Sequence, residues 1–131
     1  MASAASRLAT DELLERVRLQ PVAQRLVSSL SHGQQRQLEI GMALAGAPRL
    51  ILFDEPAAGL SPLERRELVA LLRSLPSHMT FVLIEHDLDI ALRVAQRVTV
   101  MHNGRVLKTG TPDEIQDDAE VQAIYMGGRQ G

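Results

Sequence analysis

The chain has 131 residues and a formal net charge of −2, which gives no electrostatic reason to expect nucleic acid or an anionic membrane as a partner. Two Phe, one Tyr and no Trp leave little for base stacking, and the absence of cysteine excludes disulfides and thiolate sites. The apolar runs fall far short of the ~20 residues that span a bilayer, and the opening MASAASRLAT lacks the apolar block of a signal peptide. The sequence therefore reads as a soluble chain, one domain or part of one, that could still dock on a membrane protein.

In chain order, residues 1–9 are small and polar and are expected to be disordered. Thr10 can cap a helix over DELLERV with Leu13, Leu14 and Val17 on one face and two acids in the first turn. Pro21 interrupts it. A second helical pattern follows LSHGQ, with Leu38, Met42 and Ala45 on one face, and Ala47-Pro48 ends it. LILF at 50–53 is short, apolar and bounded by turns, and reads as a buried strand. Ser61, Pro62 and Glu64 form a capping box, opening a helix with Leu68, Leu71, Leu72 and Leu75 on one face. TFVLI at 80–84 is a second buried strand, and Asp87 can cap LDIALRVA. Asn103-Gly104 supplies two positive φ angles, so RVTVM and RVLKTG form a hairpin. Thr111, Pro112 and Glu114 make another capping box before a C-terminal helical region. The alternation is that of an α/β fold with a mostly parallel sheet, flanking helices and a C-terminal β-hairpin.

Three places carry polar chemistry. The first strand ends in Asp54-Glu55, at the sheet edge where ligands bind in open α/β folds. An aspartate there can hold Mg²⁺, directly or through water, and a neighbouring glutamate can orient or deprotonate an attacking water. The second strand runs into EHD, with His86 in the same relative place. LSHGQ sets Ser31, His32, Gly33 and Gln34 at the start of a helix, where free N–H groups, a dipole and a hydroxyl can meet an anion.

Together these motifs resemble the nucleotide-binding domains of ABC ATPases. LSHGQ is similar to the family's signature, LILFDE to its Walker B strand, PAAGLS to its D-loop and IEHD to its switch histidine, all in the family's order. The resemblance runs from about Thr10 to about Gly128, and its wording is closest to ATP-binding subunits of branched-chain amino acid importers. It implies ATP and Mg²⁺ as ligands, with Asp54 holding the metal, Glu55 as general base and His86 at the γ-phosphate. It implies that Ser31, His32, Gly33 and Gln34 meet ATP bound to a second ABC subunit, in a head-to-tail homo- or heterodimer. Gly59, Leu60 and Ser61 would line that interface. Permease subunits in the membrane, and indirectly a substrate-binding protein, would be the other partners, placing the chain in the cytoplasm on the inner face of the membrane. Two positions depart from the family's pattern: His32 replaces a glycine of the commonest signature, and Ser61 stands where aspartate is common.

The phosphate-binding loop G-x-x-x-x-G-K-[ST] is not found within the 131 residues. The one lysine, Lys108, precedes Thr109 but follows Leu107 where glycine is required, and it falls in the hairpin. By the resemblance, residues 10–131 correspond to the C-terminal part of the ATPase domain: 10–48 to part of the helical subdomain with the signature helix, 49–131 to the second half of the catalytic core. Such a chain is expected to expose sheet edges and apolar faces, to be marginally stable and to be inactive by itself. A second reading is a nucleotide-free interaction module that offers its signature in trans to a complete subunit. DNA-repair and chromosome ABC proteins share the motifs, but the long insertions they usually carry near the signature do not fit here.

Overall fold

The computed structural model describes residues 3–126, in two compact units, residues 3–84 and 85–126. The first unit opens with α1 (Ala4–Arg16), which starts earlier than Thr10 because the Ser3 hydroxyl accepts the amide of Ser6 at 3.1 Å. Residues 4–9, expected to be disordered, are its first turns, and Asp11 and Glu12 fall in its middle, away from the favourable N-terminal dipole. Two short 3-10 turns, Gln20–Val22 and Val27–Ser29, carry the chain to α2 (His32–Ala45).

The buried side of α2 is Gly33, Gln37, Ile40, Gly41 and Leu44, whereas Met42 is exposed. The face thus lies beside the one expected from Leu38, Met42 and Ala45. Gly41 lies on that face: a Cβ there would stand 3.3 Å from Val17, tighter than most such contacts, so the missing side chain eases the approach of the end of α1. Hydropathy does not register a glycine chosen for packing.

β1 (Leu50–Asp54) and β2 (Thr80–Ile84) pair in parallel, from Leu50 opposite Thr80 to Asp54 opposite Ile84. Parallel neighbours need a crossover, and α3 (Pro62–Arg73) supplies it. Its capping box forms as the sequence predicts: the Ser61 hydroxyl accepts the Glu64 amide and Glu64 Oε1 accepts the Ser61 amide, both at 3.2 Å. Leu68, Val69, Leu71 and Leu72 are buried on it. Phe53 and Phe81 meet edge to face with ring centroids 5.9 Å apart. Both strands were expected to be buried, yet each alternates. Ile51 and Phe53 are buried while Leu50, Leu52, Val82 and Ile84 are exposed, Leu52 to 70 %. Among the described residues the parallel sheet is two strands wide, and one of its apolar faces is open.

The second unit holds α4 (Leu88–Val94), capped by Asp87, and a hairpin of β3 (Val98–His102) and β4 (Arg105–Gly110). Asn103 at φ 50° and Gly104 at φ 75° form its turn, as Asn-Gly predicts. A bulge between Val100 and Met101 leaves Leu107 as the extra residue of β4, and Leu107 packs on the unit's core. That core is Val98, Val100, Ile115 and Val121, with Leu88, Leu92 and Ala95 against it. α5 (Pro112–Gln116) starts at Thr111, whose hydroxyl accepts the Glu114 amide at 3.3 Å, while the Glu114 carboxylate turns to that hydroxyl. α6 (Ala119–Val121) and a π-type turn, Gln122–Met126, follow. The Tyr125 hydroxyl there donates to the Met101 carbonyl. No helix among the described residues is long and apolar enough to cross a membrane.

Candidate functional site

Asp54 is the last residue of β1 and is exposed at its C-terminal end. The Glu55 amide donates to the Ile84 carbonyl at 2.7 Å, carrying the pairing one residue further. Glu55 itself lies at φ 47°, in the left-handed region that a non-glycine residue occupies at a cost of roughly 1 kcal/mol or more. That backbone turns the chain sharply off the strand. The Ala58 amide donates to the Glu55 carbonyl at 3.1 Å and the Leu60 amide to that of Ala57 at 3.2 Å. Gly59 takes φ 76°, and Ser61 begins α3. Pro56, Ala57 and Leu60 are buried and anchor the loop, so Asp54 and Glu55 stay at the surface.

The LSHGQ turn is built by a second capping box. The Ser31 hydroxyl accepts the Gln34 amide at 3.1 Å, and Gln34 Oε1 accepts the Ser31 amide at 3.0 Å. The helix it opens is fourteen residues long. Ser31 and His32 are exposed, whereas Gly33 is buried. The Gly33 amide donates to Oε2 of Glu64, 31 positions along the chain. The Ser61 amide and hydroxyl hold the Glu64 carboxyl below the ordinary carboxylate range, the Gly33 amide and nearby His32 act in the same direction, and partial burial opposes them. One side chain thus joins the signature turn to the end of the carboxylate loop. The sequence marks Glu64 only as a helix cap; nothing local in it announces a partner on another helix.

His86 belongs to the second unit and follows β2 by two residues. Its ring is 69 % exposed, with Nδ1 3.6 Å from Oε1 of Glu85, whose side chain is 1 % exposed. That separation is an ion-pair distance for a protonated ring and too long for a hydrogen bond. Lys108 sits in β4 and donates to Asp118 at 3.1 Å, so the chain's one lysine is a strand residue and not part of a phosphate loop.

Among the described residues no three His, Cys, Asp or Glu side chains gather as a metal cage. Mg²⁺ asks for less, since it keeps several waters and takes one or two carboxylates together with phosphate oxygens. An exposed Asp54 beside Glu55 at a strand end fits that demand.

The family model described as "ABC transporter" matches residues 3–58, and that of the "Branched-chain amino acid ATP-binding cassette transporter" matches residues 105–130. The high-affinity branched-chain amino acid transport ATP-binding protein BraF of Pseudomonas aeruginosa is 40 % identical over 116 residues, 87 % of this chain and 46 % of its own length. The lipopolysaccharide export system ATP-binding protein LptB of Acidithiobacillus ferridurans is 39 % identical over 118 residues, 89 % of this chain and 49 % of its own. A solved ATP-binding cassette of an ABC transporter, MJ1267, superposes with a TM-score of 0.81 at 31 % identity, over 95 % of this chain and 51 % of that one. Over nearly nine tenths of its length the chain is similar to ATP-binding proteins of ABC transporters, and its fold is that of the ATP-binding cassette domain. Within the family its similarity runs to the ATP-binding proteins of branched-chain amino acid transport. It spans about half the length of the curated relatives it matches.

Proposed function

We propose that the chain is the signature and carboxylate part of an ATP-hydrolysing subunit that energises import of branched-chain amino acids. The observation that carries this reading is the end of β1, where exposed Asp54 is followed by Glu55 in a left-handed turn. Backbone strain of this kind concentrates at functional sites. Asp54 would hold Mg²⁺, through water, and the ion would supply positive charge beside the terminal phosphates. Glu55 orients and deprotonates the water that attacks the γ-phosphorus as its bond to the β–γ bridging oxygen breaks and ADP leaves, and His86 donates to a γ-phosphate oxygen. Ser31, His32, Gly33 and Gln34 face ATP carried by a second ABC subunit, and Gly59, Leu60 and Ser61 lie between the paired sites. Permease subunits hold the pair on the inner face of the cell membrane, with a substrate-binding protein upstream.

The similarity to BraF is nearly matched by that to LptB, so overall identity does not decide the cargo. The branched-chain model over residues 105–130 favours amino acids. The domain limits follow the same reading, with residues 10–48 as part of the helical subdomain with the signature helix and 49–131 as second half of the catalytic core.

The test is equilibrium binding of a fluorescent ATP analogue with Mg²⁺ to the 131-residue chain, then pull-down by a complete branched-chain ATP-binding subunit with and without ATP. The expected result is no direct binding up to ~1 mM, about 4 kcal/mol, and ATP-dependent pairing that needs Ser31. Micromolar binding lost on Asp54→Ala would show that these residues hold phosphates without a P-loop. Pairing on a Ser31-containing turn with no turnover in any complex containing Glu55 would favour the interaction module.

A further inference from the structure

The capping box of α3 uses one oxygen of Glu64, and the other is spent elsewhere. Oε1 accepts the Ser61 amide at 3.2 Å, while Oε2 accepts the amide of Gly33 on α2. The approach is close: a Cβ on Gly33 would stand 2.9 Å from both Cδ and Cγ of Glu64, nearer than real Cβ atoms come. A side chain at position 33 would have to push the Glu64 carboxylate aside, so glycine is what lets the two sit together as they do.

An amide N–H is a single donor, and a carboxylate and a phosphate are both acceptors carrying negative charge. Placed together at one donor they repel, and water screens that repulsion only in part, since Gly33 is buried and its bond to Glu64 part-buried. We propose that the Glu64 carboxylate is a displaceable internal occupant of the Gly33 amide, which the terminal phosphate of a partner's ATP must dislodge when the signature turn engages it. The proposal rests on the reading of residues 31–34 as a turn that meets a partner's ATP. The displacement is not local. The same side chain holds the Ser61 amide, and Ser61 ends the loop that begins at Glu55. Arrival of phosphate at one turn is thereby felt at the segment that follows the carboxylate pair.

The experiment is ATP·Mg²⁺-dependent association of the 131-residue chain with a complete branched-chain ATP-binding subunit, comparing wild type with Glu64→Gln. Gln keeps a side-chain oxygen for the cap and removes the charge. The ATP concentration for half-maximal pairing should fall about tenfold, the difference between a charged and a neutral acceptor. An unchanged or higher concentration, in a wild type that pairs with ATP, overturns the role of Glu64 and leaves the functional reading standing. A wild type that does not respond to ATP at all removes both. Amide exchange at Gly33 needs no partner: it should quicken about tenfold in Glu64→Ala, measured with the melting transition as a check on folding. An unaltered rate means that the carboxylate does not hold the amide, and the proposal fails.

Discussion

The two units bury their strands differently. In residues 85–126 the hairpin is closed on one side by its own helices, through Val98, Val100, Ile115 and Val121. In residues 3–84 the parallel pair buries Ile51 and Phe53 but turns Leu50, Leu52, Val82 and Ile84 outward. Monomeric proteins seldom leave such an apolar set bare. The strands that carry the carboxylate pair are thus the less finished part, and the unit without that pair is the more self-contained. A local hairpin finds its core within some forty residues of chain. A parallel sheet is completed only by further elements on its faces and edges.

The largest effect should come from the chemistry. In a complete subunit, Glu55→Gln should keep ATP binding and lower turnover by ~10²–10⁴, the usual worth of a general base. His86→Ala in the other unit should cut turnover far more than it lowers the melting temperature. Steady-state ATPase assays beside thermal melts decide both, and equal loss of activity and stability would make His86 a structural residue. Core truncation should rank next. Leu71 and Ile115 are each 0 % exposed, and replacing either by Ala should cost about 2–5 kcal/mol in urea unfolding. A smaller loss for Leu71 would mark the first unit as loosely packed as well as open. Gly104→Ala should cost about 1 kcal/mol, because φ 75° penalises any Cβ although space around it is free. Leu52→Thr should change stability by less than about 0.5 kcal/mol and raise the concentration at which the chain stays dispersed, read by light scattering.

The smallest effect is electrostatic. The Val121 amide, then Lys108, holds the Asp118 carboxyl below its ordinary range. A lowered pKa stabilises the fold above the ordinary aspartate value, and this support fades as pH falls through the lowered one. Asp118→Asn should therefore melt earlier than wild type at neutral pH, and the gap should close in acid.

Much of this was legible because it is local. Ser61 with Glu64, Asp87, Asn103-Gly104 and the strand limits 80–84 are signals a few residues long, and each forms where expected. The motifs named the family for the same reason. What escaped depends on distant partners. The buried face of α2 takes in Gly41, tight against Val17, and Ser3 rather than Thr10 starts the first helix. Of the candidate site, the order of Asp54, Glu55 and the Ser31 turn was plain, whereas the reach of Glu64 to Gly33 needs coordinates, since a cap pattern accounts for only one of two oxygens.

The crossover through α3 also sets a timetable. β3 meets β4 across a two-residue turn, a contact that forms in about 1–10 μs. β1 must wait for α3 to fold back before it meets β2, and such non-local pairing is slower. On a ribosome the order of synthesis runs the other way, since β1 emerges before β3 and β4. Its uncovered leucines are thus presented before the hairpin exists.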